Sequence, residues 1–135
     1  MNAADQATSL ETANKIAALV NLMKREFPGV KVNLRPWIND PETLEWMDPE
    51  SIDMGFNLPP GHTLLQLRLQ GQRLIGVDAS CFGPFGDERW KFSTIGSWRF
   101  LGSSPPAPEF QDKLKRICRE VFAIFNPAGL NGDRP

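Results

Sequence analysis

The residues with the most evident potential for chemistry lie in one short stretch, NDPETLEWMDPESID, at positions 39–53. It contains six carboxylates and repeats the tripeptide Asp-Pro-Glu eight residues apart. Closely spaced carboxylates can bind calcium, and a carboxylate pair across a cleft can hydrolyse a glycoside. The stretch lacks the ligand order and the turn glycine of a calcium loop, and sequence does not define the separation of two carboxylates. It therefore predicts neither a metal site nor a catalytic pair.

A local structural role explains most of these acids. Asp is preferred at a helix N-cap, Pro at the first helical position and Glu in the first turn. We therefore expect Asp40-Pro41-Glu42 to begin a short helix and Asp48-Pro49-Glu50 to begin another helical turn.

His62 and Cys81 flank a predicted hairpin and are the next candidates, because a histidine can activate a cysteine thiolate. Residues of like parity on a strand share a face. A register that buries Leu65 with Val77 turns Cys81 toward the core and His62 away from it. No Cys–His pair is predicted, and Cys81 is expected to be a small buried residue.

The same register places His62 on the face of Asp78 and Ser80. A nucleophilic serine usually lies on a sharp turn beside an oxyanion hole, whereas Ser80 ends a strand. No catalytic residue is therefore predicted. A small hydrolase-like enzyme or small-ligand-binding protein that uses His62 and Asp78 is kept as an alternative function.

Cofactor-binding patterns are not found in the sequence. The two cysteines, Cys81 and Cys118, are far apart, and the chain has one histidine. This composition argues against zinc sites and disulfide frameworks. The segment GPFGDERW contains two glycines but no following helix pattern, so it predicts a surface loop and not a phosphate loop. No metal and no cofactor are expected.

Helices are predicted near both ends of the chain. Apolar residues at helical spacing predict a helix over 9–27, which Pro28-Gly29 ends. A second helix is predicted over 108–125, with Pro108 at its first position. Residues 126–135 are expected to form a flexible tail.

Alternating apolar and polar residues predict the strands. The first covers 30–35, and a hairpin over 63–80 turns at Gly71 with Ile75 expected on the core side. Residues 88–101 form either a second hairpin or one bulged strand, and we favour the hairpin.

These elements predict the fold class. We expect one α+β domain over residues 1–135, since its length suits a single core. An antiparallel sheet of four to five strands would be packed on one face by the N-terminal and C-terminal helices. Residues 36–62 would form an irregular acidic insertion after the first strand.

The expected location is the cytoplasm, without a membrane partner. No apolar run approaches the roughly 20 residues of a membrane span. The first ten residues lack the basic and then apolar order of a signal peptide.

The acidic section is the best functional candidate. Residues 36–67 include six acids and no Lys or Arg, together with many large apolar side chains. Either these apolar residues are all buried as a third small layer, or some form an exposed patch with an acidic rim, as protein-binding sites do. The predicted surface comprises Trp37, Trp46, Met47, Met54 and Phe56, with Asp48, Glu50 and Asp53 as the rim; Phe82 and Phe85 are secondary candidates.

The leading hypothesis is a non-catalytic protein-interaction module, such as an adaptor, assembly factor or chaperone-like protein. It would capture a peptide-like or basic segment of another protein, because the acids would steer such a partner. A homodimer through the open sheet face or an edge strand is also considered.

A second alternative is a binder of single-stranded nucleic acid that uses the strands from Trp90 to Phe100, where aromatic and basic residues interleave. Alternation places Trp90 and Phe92 opposite Arg89 and Lys91, which favours a core strand with a solvated face. The acidic pI of about 5.8 also makes nucleic acid an unfavoured partner.

Overall fold

The structure, a computed structural model, describes residues 1–38, 40–58 and 61–127. Residues 39, 59 and 60 of the predicted acidic insertion lie outside the described residues, as do positions 128–135 of the predicted tail. The helices are α1 Ala3–Gln6, α2 Leu10–Glu26, α3 Pro41–Trp46 and α4 Pro108–Phe125. The strands are β1 Lys31–Asn33, β2 Ser51–Leu58, β3 Gly61–Gln70, β4 Arg73–Phe82, β5 Glu88–Ser93 and β6 Phe100–Leu101.

The strands form one antiparallel sheet in the order β1-β2-β3-β4-β5-β6, so each strand pairs with its neighbour in the sequence. This confirms the α+β class with helices at both ends. The expected four to five strands were too few: the described residues contain six. The pairing of β5 with β6 confirms the second hairpin.

The two long helices lie close to the predicted bounds. Ser9 caps α2, since its hydroxyl accepts a hydrogen bond of 3.1 Å from the Thr12 amide. In α4, Pro108 occupies the first turn, where N–H groups have no partner within the helix. Its missing N–H therefore removes no helical hydrogen bond. Most large apolar residues of both helices are buried, although Leu10 at the start of α2 is exposed. Each fully buried large side chain contributes about 1.5–3 kcal/mol.

The additional strand, β2, lies inside the section that was expected to be irregular. Ile52, Met54 and Phe56 alternate along it and are buried in the core with the helices. Their partners across the strand pair include Leu67 and Leu65. The expectation of an irregular section was therefore wrong for residues 51–58, because this period-two pattern forms a strand with one buried face.

Ile75 does not face the core as expected. The pairing of β3 with β4 shifts by one residue, from Arg68 opposite Gly76 to Leu69 opposite Leu74. Because of this β-bulge, the residues that face the core change from odd-numbered, such as Val77, to even-numbered, such as Leu74. Leu74 is therefore buried, and Ile75 is 45% exposed.

The N-terminal residues lie beside β2. The Asp53 amide donates to the Met1 carbonyl at 2.8 Å, and Asn2 forms a parallel bridge with Asp53. On the other side, the Ala4 amide donates to the Leu34 carbonyl at 3.0 Å. Residues 1–4 thus lie between β2 and the chain that continues from β1.

Candidate binding cleft

The polar face of the sheet, opposite the long helices, is partly covered by the chain between β1 and β2. This segment includes α3, whose N-cap is Asp40. The Asp40 carboxylate accepts a 2.7 Å hydrogen bond from the Thr43 amide, and that bond lowers the pKa of Asp40 from its ordinary value. Asp40-Pro41-Glu42 therefore begins a helix, as predicted.

The second tripeptide, Asp48-Pro49-Glu50, does not begin a helix. The Asp48 carboxylate accepts a 2.8 Å hydrogen bond from the amide of Glu50, two residues on, which closes a turn. Strand β2 starts at the next residue, Ser51. The predicted second helical turn is therefore wrong.

An open cleft of about 490 Å³ lies between α3 and the polar face of the sheet, and we call it the Trp cleft. Its walls come from the β1–β2 connection, and its floor comes from β2 and β3. It is lined by Trp37, Glu42, Thr43, Trp46, Met47, Asp48, Asp53, Gln66 and Arg68.

The two tryptophans in the walls of the Trp cleft differ in their hydrogen bonds and in their exposure. Trp37 is held by its backbone, because its amide donates to the Asn2 side chain at 2.9 Å and its carbonyl accepts from the same side chain at 3.2 Å. Trp46, the last residue of α3, is 82% exposed. Met47 follows it and is half-buried. The cleft thus combines one anchored indole with one that is open to solvent.

The floor contains a buried carboxylate, Asp53, whose side chain is 3% exposed. Its Oδ2 atom accepts hydrogen bonds from the Met1 ammonium at 2.8 Å and from the Trp37 indole Nε1 at 2.6 Å. Its Oδ1 atom is buried and has no hydrogen-bond partner among the residues that the structure describes. Buried polar atoms in proteins are nearly always paired, so this oxygen is an exception that calls for a ligand or water.

Arg68 contributes the guanidinium among the lining residues, and each of its three nitrogens already donates a hydrogen bond within the protein. It bonds Asp78 at 2.9 Å, Gln66 at 3.3 Å and Asp48 at 3.5 Å. This network fixes the side chain along the sheet. The positive charge of Arg68 is therefore balanced within the protein.

The structure brings together five of the eight residues that were predicted to form the partner surface. The other three differ in position. Met54 and Phe56 are fully buried in the core, so the prediction that they contact a partner was wrong. Glu50 is exposed beside the β3–β4 turn, where its carboxylate accepts from the Gly71 amide at 3.4 Å. The five that line the Trp cleft are Trp37, Trp46, Met47, Asp48 and Asp53.

Asp53 also changes role. It was expected on an exposed acidic rim, yet it is buried in the floor. The reason is its parity: Asp53 alternates with Ile52 and Met54, so it points to the polar face, where Trp37 and Met1 cover it.

Sequence reasoning missed Glu42, Thr43, Gln66 and Arg68 as lining residues. Glu42 was assigned to helix capping alone. Gln66 and Arg68 lie opposite Asp53 and Ser51 in the β2–β3 pairing. Recognition of β2 from its own alternation would have placed both residues beside Asp53.

The alternative constellation of His62, Asp78 and Ser80 is not assembled. The His62 ring hydrogen-bonds the Asn57 side chain at 3.0 Å, and the Asp78 carboxylate binds Arg68. Asp78 lies opposite Gln66, four residues along β3 from His62. This separation is about 13 Å, too far for a proton relay.

Both cysteines have the properties of core residues. Burial raises the pKa of the Cys118 thiol to about 12. Burial also raises the pKa of Cys81, although a hydrogen bond with Thr63 acts against it. Neither thiol is poised as a thiolate at neutral pH. In residues 1–38, 40–58 and 61–127, no group of three or more His, Cys, Asp or Glu side chains could hold a metal ion.

The aromatic residues of the possible nucleic-acid surface face the helices. Trp90 and Phe92 are buried, and Trp98 is half-buried with the Arg119 guanidinium 5.4 Å from its ring centre. These rings pack on one another and on Phe110, so they offer no stacking platform. Of the secondary candidates, Phe82 is half-buried, whereas Phe85 projects from the β4–β5 loop and is 94% exposed.

Comparison with known proteins adds a family match. Residues 4–127 match a family model described as a domain of unknown function. No curated protein and no solved structure matches the chain. Within the described part of the chain, no helix is both long and apolar enough to cross a membrane.

Proposed function

The chain belongs to a family described as a domain of unknown function, and we propose that it is a non-catalytic protein-interaction module. In this proposal, the Trp cleft captures a peptide-like segment of a partner protein, as an adaptor, assembly factor or chaperone-like protein would, in the cytoplasm. The observation that carries the proposal is Trp46, a large apolar side chain that is 82% exposed at the edge of a concave surface.

Exposure of this indole suits a partner contact. A tryptophan buries about 150–250 Å² when it is covered, which at about 25 cal/mol per Å² corresponds to about 4 kcal/mol or more. Tryptophan is also enriched among the residues that dominate binding energy at interfaces. The indole of Trp37 and the side chain of Met47 extend this apolar area into the cleft.

The dimensions and charge of the Trp cleft favour a segment over a folded domain. Its volume of about 490 Å³ falls in the range of pockets that enclose a small ligand, so it holds a few side chains. Three carboxylates and one guanidinium line it. This excess of acid would speed the approach of a basic segment.

The test is capture of partners from a lysate of the native organism, with the Trp46→Ala variant and a tag at the C-terminus. The matched control is Phe85→Ala, which removes an exposed aromatic residue from a different loop. We expect Trp46→Ala to lose partners that the parent and Phe85→Ala retain. Retention of the same partners by Trp46→Ala would refute the proposal.

Both substitutions are expected to leave the fold intact. Exposed side chains contribute little to stability, so each variant should unfold within about 0.5 kcal/mol of the parent in urea. Loss of partners by Phe85→Ala alone would place the interaction surface on the β4–β5 loop instead.

A further inference from the structure

We infer that the Trp cleft selects a lysine or arginine side chain of the captured segment, whose cationic head is bound by Asp53 and whose alkyl stem lies against Trp46. This inference rests on the proposed function, since it names the chemistry that the same cleft recognises. It is carried by a feature that the proposed function does not use, the unpaired oxygen of a buried carboxylate.

The first step concerns Asp53. Its side chain is 3% exposed, and its Oδ2 atom already accepts two short hydrogen bonds. The Oδ1 atom is buried, and no group in the described part of the chain donates a hydrogen bond to it. An unpaired buried acceptor is costly, and a donor supplied by a ligand removes that cost. Asp53 lies in the cleft floor, so a cationic head that enters the cleft and displaces the atoms covering Oδ1 can supply this donor.

The second step concerns the other charges at the cleft. The Met1 ammonium is paired with Asp53, and the Arg68 guanidinium is paired with Asp78. Glu42 lines the cleft and makes no ion pair with any residue that the structure describes. Among the described residues, Asp48 has one ion pair, the 3.5 Å contact with Arg68, besides the hydrogen bond from the Glu50 amide. The two cations at the cleft, the Met1 ammonium and the Arg68 guanidinium, are thus paired within the protein, whereas carboxylate oxygens at the cleft are free to accept further hydrogen bonds.

The third step compares possible occupants. An anionic side chain would meet three carboxylates, and both cations at the cleft, the Met1 ammonium and the Arg68 guanidinium, are already paired with carboxylates. A neutral apolar side chain would contact the indoles but leave Asp53 Oδ1 unpaired. A lysine or arginine side chain suits both the indoles and the carboxylate, because its alkyl stem covers apolar surface while its cationic head donates to a carboxylate. The exposed ring of Trp46 also attracts a cation placed over its face.

The experiment is a titration of the full chain, followed by the NMR signals of the tryptophan indole N–H groups. The probes are the N-acetyl methylamides of lysine and arginine. Their matched controls are the norleucine and citrulline derivatives, which keep the length of the side chain but lack the positive charge. A glutamate derivative tests the opposite charge.

We expect lysine and arginine derivatives to shift the Trp37 and Trp46 indole signals. Their affinity should exceed that of the neutral controls by about tenfold, equivalent to about 1.4 kcal/mol. Equal binding of lysine and norleucine, preferential binding of glutamate, or no shift with any probe would each overturn the inference.

Two variants locate the charge that is responsible. Asp53→Asn removes the proposed acceptor charge and should abolish the preference for lysine over norleucine. Because Asp53 also holds Met1 and Trp37, Glu42→Gln provides a second variant with no described ion pair to lose. It should weaken binding of the lysine probe about two- to fivefold and leave norleucine unchanged. An unchanged lysine affinity in both variants would contradict the assigned chemistry.

The outcomes separate this inference from the proposed function. If Trp46→Ala loses its partners while lysine and norleucine bind equally, capture at the Trp cleft stands and selection of a cation fails. If Trp46→Ala keeps its partners while lysine is preferred, the cleft binds cations but is not the surface that captures protein segments.

Discussion

The two Asp-Pro-Glu tripeptides have the same sequence and opposite structural outcomes. Asp40 caps the helix α3, whose described residues are all at least partly exposed. Asp48 closes a turn before β2, whose residues from Ser51 to Phe56 are all buried. The same three residues thus precede an exposed wall of the cleft in one place and a core strand in the other.

The residues that follow the tripeptides explain the difference. After Glu42, polar and apolar residues alternate only from Thr43 to Trp46, because Met47 breaks the pattern. After Glu50 the chain alternates strictly, which presents one apolar face to α2 and α4. A capping signal determines only that a turn can begin, whereas burial of a face determines which element follows it.

The largest expected effect tests whether β2, the strand that follows Asp48-Pro49-Glu50, belongs to the core. Phe56→Ala should lower the free energy of unfolding by about 3–5 kcal/mol, because it opens a cavity beneath the sheet. The matched substitution in α3, Leu44→Ala, removes a side chain that is 46% exposed. It should cost less than about 1 kcal/mol. Urea denaturation measures both, and similar losses in the two variants would contradict the contrast.

A smaller effect is expected for the hydrogen bond from the Trp37 indole to the Asp53 carboxylate, which joins the β1–β2 connection to β2. Trp37→Phe removes the indole donor and should destabilise the protein by about 1.5–3 kcal/mol, since hydrogen bonds to charged groups fall in this range. In an Asp53→Asn background the same substitution should cost less. A double-mutant cycle in urea measures the coupling, and strict additivity would mean that the bond contributes nothing.

The smallest effect compares the two aspartates directly. Asp40→Ala should accelerate hydrogen exchange at the Thr43 amide, because it removes the acceptor that caps α3. Asp48→Ala should leave that amide protected, since its own bond is to Glu50. Equal acceleration in both variants would show that both carboxylates stabilise α3, which would contradict the separate roles assigned to them.

The pH dependence of this cap follows from the lowered pKa of Asp40, whose ordinary value is 3.8. The group is held ionised in the folded state, so its stabilisation is fully present above pH 3.8. It is lost as the pH falls through the lower folded value. Protection at Thr43 should therefore decline only below pH 3.8 in the parent and be independent of this titration in Asp40→Ala.

Much of the fold could be predicted because its signals are local. The helix predicted over 108–125 has these bounds in the structure, since Pro108 and Asn126 mark its ends. Strand β2 was missed although its alternation was present, because Asp48-Pro49-Glu50 was taken as a helix start. The bulge at Ile75 depends on how two strands pair, which local sequence does not define.

The candidate cleft was predictable only in part. Trp37, Trp46 and Met47 were identified because large apolar residues in an acidic connection are unusual. The contact of Met1 with Asp53 joins residues far apart in the chain, and no local pattern indicates it. The unpaired oxygen of Asp53 is a consequence of that packing, so it could emerge only from the three-dimensional structure.

The meander order of the sheet has a consequence for how the chain folds. Strands β2 to β5 each pair with the next strand, so these hairpins form by closing short loops, which is entropically cheap and fast. Docking of Met1 on Asp53 instead closes a loop across a sequence separation of 52 residues. We therefore expect the hairpins to be ordered in the folding transition state, and the floor of the Trp cleft to be completed on the native side of the barrier.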